Sequence, residues 1–558
     1  MQPLKITLAQ LNYKIGDISY NKEKIINTIK NGEIEKSDLI IFSELAICGY
    51  PPMDLLTKQS FIDEINSALQ DIANHCKTTT ALIGAPSLNP DKKGKQLLNS
   101  AWMLNNGEAK AVVHKTLLPD YDVFDEYRYF QPNKTFKIVP FKGHRLAITI
   151  CEDIWDDQPT KNNFERNHLY TLSPTQKLAA LKPDMLINIS ASPFSKERYK
   201  IREKIIGEKA SRYNTPLYFV NQTGANTDLI FDGGSMTVNN RGEVTNSLGY
   251  FKERCVTISS NEVNSPVKKE QANKKKRYPK EWFIYNALIT GVKDYFVKSG
   301  FKKAVIGLSG GLDSALTAVI AADALGCENV HGILLPSQYS SEHSIKDAKD
   351  LIENLGITGE EVNIEKIFSS VNSALYKTFE NCDEDVTEEN IQARIRGTLL
   401  MAYSNKFGHI LLNTSNKSEA AVGYGTLYGD MNGGLSVLGD LYKSEAFTLA
   451  DYINREEIRI PVNTLKKPPS AELRPNQKDS DSLPNYNTLD KILYLYIEEN
   501  RDLNSIIKEG FEKETVEKVI NLVNKSEYKR YQTAPVLRIS EKAFGAGRRV
   551  PIVATLKP

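Results

Sequence analysis

Short runs of branched and aromatic apolar residues alternate along the chain with longer stretches whose apolar positions recur every three or four residues. The first kind predicts strands and the second amphipathic helices, and their alternation through both halves predicts a layered α/β architecture. Three strand-like runs, 38–43, 111–114 and 145–150, are followed at once by Glu44, Lys115 and Cys151. A fourth, Lys303-Ala304-Val305-Ile306, leads through a glycine-rich turn into a segment with helical apolar spacing (Ala315, Leu316, Val319, Ala322, Leu325) that stops at Gly326. A fifth strand is expected from His331 to Leu335.

The pattern breaks at residues 261–280, which are polar, rich in Lys and nearly free of large apolar side chains. Such a stretch reads as a solvated linker, and it divides the chain into an expected domain at 1–262, a linker at 263–280 and a second domain at 281–558. The Lys274-Lys275-Lys276-Arg277 run inside it is read as part of that solvated face. A second polar stretch, Lys466 to Pro484, is rich in Pro, Ser and Asp and is expected to be a long loop able to act as a lid.

With 558 residues the chain exceeds what one core supports, which agrees with two large domains. Hydrophobic residues at 41 % and charged residues at 25 % are the balance of a soluble globular protein. A net charge of +2 supplies no field for nucleic acid or an anionic membrane, so neither is an expected partner. No apolar run approaches the roughly 20 residues of a membrane span, and the first residues alternate like a strand without the apolar core of a signal peptide. A cytoplasmic location is therefore expected. The six cysteines are scattered without a CxxC pair, so neither a disulfide framework nor a zinc site is predicted.

Residues 307–314 read Gly-Leu-Ser-Gly-Gly-Leu-Asp-Ser. Between a strand and a helix, this turn makes an anion cradle, because unpaired amide N–H groups and the helix dipole point at it. It is neither a Walker A sequence nor a dinucleotide GxGxxG. Asp313 stands where Walker A has its Lys, so a divalent cation is needed between the loop and bound phosphates.

Glu44, Lys115 and Cys151 all follow strand ends, where sheet enzymes present side chains to a cleft. Taken singly they read as two solvated charges and a core thiol. Together they can hydrolyse an amide: Glu44 takes the thiol proton, Cys151 attacks to form a thioester, and Lys115 stabilises the oxyanion while keeping the thiolate ionised.

FSELAICGYPP around Glu44, HKTLLPDYDVFDEYRYF around and after Lys115 and ICEDIW around Cys151 resemble the three signatures of the nitrilase superfamily. The resemblance implies an αββα sandwich, catalytic roles for Glu44, Lys115 and Cys151, and an auxiliary role for Glu126. In the glutamine-using branch it also implies that Tyr121 lines the substrate. Asn188 to Phe194 resembles the segment that supplies a hydroxyl, here Ser192, and a base to the glutamine backbone. Lys196, Arg198 and Lys200 all follow closely; spacing favours Arg198, with Lys196 next.

Ser-Gly-Gly-x-Asp-Ser resembles the pyrophosphate loop of the ATP pyrophosphatases, which transfer AMP and release pyrophosphate. The fold implied is a doubly wound parallel sheet, with Gly307, Leu308, Ser309, Gly310, Gly311, Leu312, Asp313 and Ser314 on ATP. Further segments resemble the NAD+ synthetases: Pro336 to Ser341 at the adenosine edge, Glu389 to Arg396, Leu412 to Glu419, Tyr424 to Asp430 and Ser526 to Arg530. They imply that Thr414 contacts ATP, that Asn390, Glu419 and Lys529 face the deamidated dinucleotide, and that Asp313 and Glu419 hold Mg2+. Over nearly the whole chain the order resembles the glutamine-dependent NAD+ synthetases. Glutamine hydrolysis would then supply ammonia to a dinucleotide carboxylate adenylated by ATP, and because ammonium has no lone pair, a closed route for ammonia between the sites is expected. The substrates implied are glutamine, ATP and deamido-NAD+, and assembly as a homo-oligomer is expected. Two alternatives remain open: a different acceptor for the same chemistry, and a non-catalytic N-terminal module joined to an ammonia-using enzyme.

Overall fold

The computed structural model describes residues 2–157, 169–266, 278–475 and 477–555. Two compact units divide the chain, Met1–Tyr278 and Pro279–Pro558. Most of the predicted linker, 267–277, and with it the Lys274–Arg277 run, lies outside the described residues. Its first residue, Val263, ends the short helix Ser260–Val263, and the second unit's first helix starts at Lys280.

The first unit holds two six-stranded sheets. One contains β1 (Lys5–Gln10), β2 (Leu39–Ile41), β3 (Thr80–Leu88), β4 (Leu97–Asn105), β5 (Glu108–His114) and β14 (Arg254–Ser259), in the order β14-β1-β2-β3-β4-β5. The other contains β6 (Val139–Phe141), β7 (His144–Ile150), β8 (Met185–Ser190), β9 (Leu217–Asn221), β12 (Met236–Val238) and β13 (Val244–Ser247), in the order β13-β12-β9-β8-β7-β6. A separate hairpin pairs β10 (Thr223–Asn226) with β11 (Leu229–Asp232).

Alternation within the apolar runs decides the layering. In β2, Leu39 and Ile41 join a core with Leu82, Ile148, Ile187 and Tyr218, so the two sheets pack face to face. Ile40 points the other way, into a core with Ile25, Ile29, Ile62, Ile65 and Leu69 from the helices Ile18–Ile34 and Gln59–His75. The second sheet's outer face carries Ala147, Leu186 and Phe219 against Leu178, Ile205 and Ile206 of the helices Pro174–Ala179 and Arg198–Arg212. The result is an αββα sandwich. Because the central strands are covered on both faces, they read as continuous apolar runs rather than alternating ones.

The second unit is built on a fully parallel sheet of β15 (Ala304–Gly307), β16 (Val330–Leu334), β17 (Thr358–Glu361), β18 (Ile410–Asn413) and β19 (Leu435–Ser436), in the order β17-β16-β15-β18-β19. The chain leaves β15 for β16 on one side and later adds β18 on the other, so the order reverses at β15. Open parallel sheets bind ligands in the crevice at that reversal. A separate helical core unites Leu489, Ile492, Leu493, Val516, Val519, Ile520 and Val523. The polar stretch from 466 onward has one short turn, Asp479–Asp481, and is otherwise irregular among its described residues, but it is well tied down. Glu472 accepts from Ser341 and Ser344, and the Leu473 carbonyl accepts from Gln392. No described helix is long and apolar enough to cross a membrane.

One ion pair buried in the first unit offers a direct test of its packing. Arg202 grips Asp232 with two parallel hydrogen bonds of 2.9 and 2.6 Å, both side chains being 1 % exposed. Arg202→Leu leaves Asp232 buried without its cation, and the expected loss is about 3–5 kcal/mol, read as a lower midpoint for the first unit in urea unfolding.

Candidate active sites

In the first unit, strand ends bring the predicted groups together. Lys115 follows β5, Cys151 follows β7, and Glu44 lies three residues beyond β2. Glu44 and Lys115 are completely buried, and Glu126 and Cys151 nearly so. The Lys115 ammonium donates to Glu44 Oε1 at 2.7 Å and to both oxygens of Glu126 at 2.8 Å. Asn99 Nδ2 donates to Glu44 Oε1 at 2.8 Å, the Ala191 N–H to Glu44 Oε2 at 3.0 Å, and the Tyr50 hydroxyl to Glu126 at 2.8 Å. Gly84 lets the Glu44 backbone come this close: a Cβ there would stand 2.5 Å from the Glu44 Cα.

Two carboxylates thus share one cation away from water. Burial pushes the Glu126 carboxyl up to about 7 against the pull of Lys115. Burial, and then the Glu44 charge, hold the Cys151 thiol well above its ordinary value, outweighing Lys115. The expectation that Lys115 keeps a resting thiolate is therefore corrected: its charge is already neutralised by Glu44 and Glu126. The protonated form of the thiol is thereby favoured. Cys151 itself has φ +43°, a left-handed conformation that is unfavourable for a residue with a Cβ.

Beside Cys151, Glu152 accepts from the hydroxyls of Tyr121 and Tyr170, each at 2.9 Å. Arg198 lies near Tyr121 and the Glu152 carboxylate and stacks its guanidinium over Trp155 at 4.5 Å. The buried hydroxyls of Ser192 and Ser195 have no hydrogen-bond partner among the described residues. Of the three candidate bases, Lys200 points outward and pairs with Glu197 at 3.1 Å, Lys196 is buried, and Arg198 lies by Tyr121 and Glu152. A hydroxyl, a guanidinium and a carboxylate are the groups that can bind an α-amino acid zwitterion.

In the second unit, the loop Leu308–Gly311 joins β15 to the helix Leu312–Leu325 at the point where strand order reverses. The hydroxyls of Ser309 and Ser314 lie 3.1 Å apart, and Ser309 Oγ accepts from the Gly311 N–H. Gly310 has φ +74°, and a Cβ there would stand 2.1 Å from the Ser344 carbonyl oxygen. Asp313, in the first turn of the helix, accepts from Asn416 Nδ2 at 3.3 Å and is bridged by Lys443. Lys443 also lies 3.5 Å from Glu419. Burial, with Asp313 and Asp479 nearby, lifts the Glu419 carboxyl to about 8 despite Lys443. Thr414 directly follows β18, the strand next to β15.

The remaining predicted residues line separate parts of the same unit. Asn390 accepts from the Thr426 hydroxyl at 2.7 Å. Lys529 donates to the carbonyls of Gly423 and Gly425 at 2.7 and 2.8 Å, so its ammonium braces the glycine-rich turn. Among the described residues no group of three or more His, Cys, Asp or Glu side chains forms a metal cluster. Asp313 and Glu419, two hard oxygen donors converging on one positive charge, nevertheless fit magnesium, which takes one or two carboxylates and completes its shell with phosphate oxygens and water.

Comparison with known proteins agrees with both centres. Residues 5–265 match the carbon-nitrogen hydrolase family and residues 284–533 the NAD synthase family. The glutamine-dependent NAD(+) synthetase of Synechocystis sp. is 44 % identical over 557 residues, covering 99 % of each chain. That of Thermotoga maritima is 41 % identical and covers 100 % of each. The chain belongs to the glutamine-dependent NAD+ synthetase family. A solved structure of such an enzyme from Acinetobacter baumannii, in complex with ADP, superimposes with a TM-score of 0.77 at 37 % identity over 99 % of both chains.

Several neighbours of these centres escaped sequence reasoning. Asn99 and Lys443 carry no local signal, because their importance comes from strands and helices far along the chain. Glu152 had one, its adjacency to Cys151, but the direction of its side chain depends on the turn that follows β7.

The close approach at Gly310 gives a testable consequence. Gly310→Ala forces the phosphate loop off Ser344, so ATP affinity is expected to fall at least about tenfold, measured by calorimetric titration. Unchanged affinity would mean that the loop does not cradle the triphosphate.

Proposed function

We propose that the first unit hydrolyses glutamine and that the second uses the ammonia to amidate deamido-NAD+, yielding NAD+, AMP, pyrophosphate and glutamate. The observation that carries this reading is the buried Glu44–Lys115–Glu126 set beside the strained Cys151, in one chain with a phosphate loop at a strand-order reversal.

Glutamine's α-carboxylate pairs with Arg198 and Ser192, and its α-ammonium with Glu152, which leaves the side-chain amide at Cys151. Lys196 borders the pocket, and Tyr121 orients both Glu152 and Arg198. Glu44 takes the thiol proton as sulfur bonds to the amide carbon, and Lys115 stabilises the oxyanion. The C–N bond then breaks, and Glu44 passes that proton to the leaving ammonia. Water, deprotonated by Glu44, cleaves the thioester and releases glutamate. Glu126 holds Lys115 through both carboxylate oxygens.

In the second unit the loop from Gly307 to Ser314 receives the triphosphate, and Thr414 contacts the nucleotide. Asp313 and Glu419 would hold Mg2+, which when bound offsets phosphate charge. The dinucleotide carboxylate attacks the α-phosphate, pyrophosphate leaves, and ammonia displaces AMP from the acyl adenylate. Asn390 and Lys529 face the dinucleotide. In this reading the chain works in the cytoplasm as a homo-oligomer on small-molecule substrates.

Cys151→Ala is expected to abolish glutaminase activity and glutamine-supported NAD+ formation by at least about a thousandfold while ammonia-supported formation persists, because only the first centre needs the thiol. Product analysis with each nitrogen source decides it, and loss of both in a folded variant would sink the two-centre reading. Asp313→Asn should do the reverse and stop NAD+ formation from either source. Near-normal ammonia-supported synthesis in that variant would make Asp313 structural.

A further inference from the structure

The strained turn at Cys151 and the strand end at Lys115 come from different sheets, yet one side chain joins them. Asp153 is 2 % exposed and lies two residues beyond the thiol. Its Oδ1 accepts from the backbone N–H groups of Thr116 and Leu117, at 3.0 and 2.8 Å, immediately after Lys115. Its Oδ2 accepts from the Ile150 N–H at 3.2 Å, immediately before Cys151. A longer hydrogen bond, from Asn188 Nδ2 to the Cys151 carbonyl at 3.4 Å, also ties the thiol's backbone.

We propose that Asp153 is the positioning residue of the amidase centre, its one carboxylate setting the separation between the Lys115 ammonium and the Cys151 thiol from behind. This inference rests on the amidase reading above. A left-handed non-glycine residue persists only where its surroundings over-determine it, and Asp153 supplies such a restraint on the residue before Cys151. The arrangement is costly. Burial raises the Asp153 carboxyl to about 7, against the three N–H groups and the Lys115 charge that pull it down. Behind the carboxylate lies a cavity of about 90 Å3, lined also by His114, Thr116, Asn133 and Lys137.

Asp153→Asn tests the idea. The amide keeps one acceptor oxygen for Thr116 and Leu117 but turns an NH2 toward the Ile150 N–H, or the reverse, so one of the two strand ends comes loose. The expected result is a fall in glutaminase kcat of at least about tenfold with KM for glutamine within about twofold, since the glutamine-binding groups are untouched and only the reacting geometry is lost. Alkylation of Cys151 by iodoacetamide should slow by a similar factor. A merely structural role would lower the melting temperature and leave kcat of the folded chain unchanged, and that outcome overturns the proposal, as does a KM that rises in step with the loss. If Asp153→Asn does not accumulate as folded chain, Asp153→Ser, whose hydroxyl can accept one of the three N–H groups, decides by the same measurements. A parent chain without glutaminase activity would instead refute the amidase reading itself.

Discussion

A buried ammonium shared between two carboxylates is the constraint on which the first centre depends. Removing three charges from water costs several kcal/mol for each ion, and the pairing repays this only where every remaining lone pair finds a donor. Lys115 meets Glu44 and Glu126, and Asn99, Tyr50 and the Ala191 N–H supply the remaining hydrogen bonds. The set retains one net negative charge. Burial first, and then that excess charge, lift Glu126 toward neutrality and raise the Cys151 thiol well above its ordinary value.

The same stoichiometry recurs in the second unit. Lys443 serves Asp313 and Glu419, and Lys417 serves Asp440 and Glu498. The two cases differ in what surrounds them. Around Lys417, Ser540 and the Lys542 carbonyl complete the ammonium's bonds, and Asp440 also holds the Ile539 and Ser540 N–H groups, so the cluster fastens the C-terminal segment. Around Lys443 the carboxylates border the phosphate loop, and Glu419 is pushed up to about 8. A shortage of positive charge beside a phosphate cradle suits a divalent cation that arrives with ATP.

Much of this was legible in the chain. Continuous apolar runs ending on Glu44, Lys115 and Cys151 announced strands covered on both faces and presenting chemistry at one edge. The glycine turn before Leu312 announced the phosphate loop, because only glycine accepts φ +74° with a neighbouring carbonyl so close. Charge balance was not legible. Lys115 looked free to hold a thiolate until the fold showed both of its carboxylate partners, and the bracing of the glycine-rich turn by Lys529, through the Gly423 and Gly425 carbonyls, shows only in the fold.

By itself the sequence determined the strands that end at Glu44, Lys115 and Cys151 and the strand, glycine turn and helix around Asp313, since these follow from local periodicity and backbone stereochemistry; the two kinds of chemistry and their order came from the resemblance of those segments to known families. Only the tertiary structure decided protonation, partners and support: that the protonated form of the thiol is favoured, that Arg198 rather than Lys200 turns inward, and that Asp153 ties two sheets together. Those properties depend on burial and on groups tens to hundreds of residues apart, and electrostatic energy in a low-dielectric interior is set by distances that no local pattern encodes.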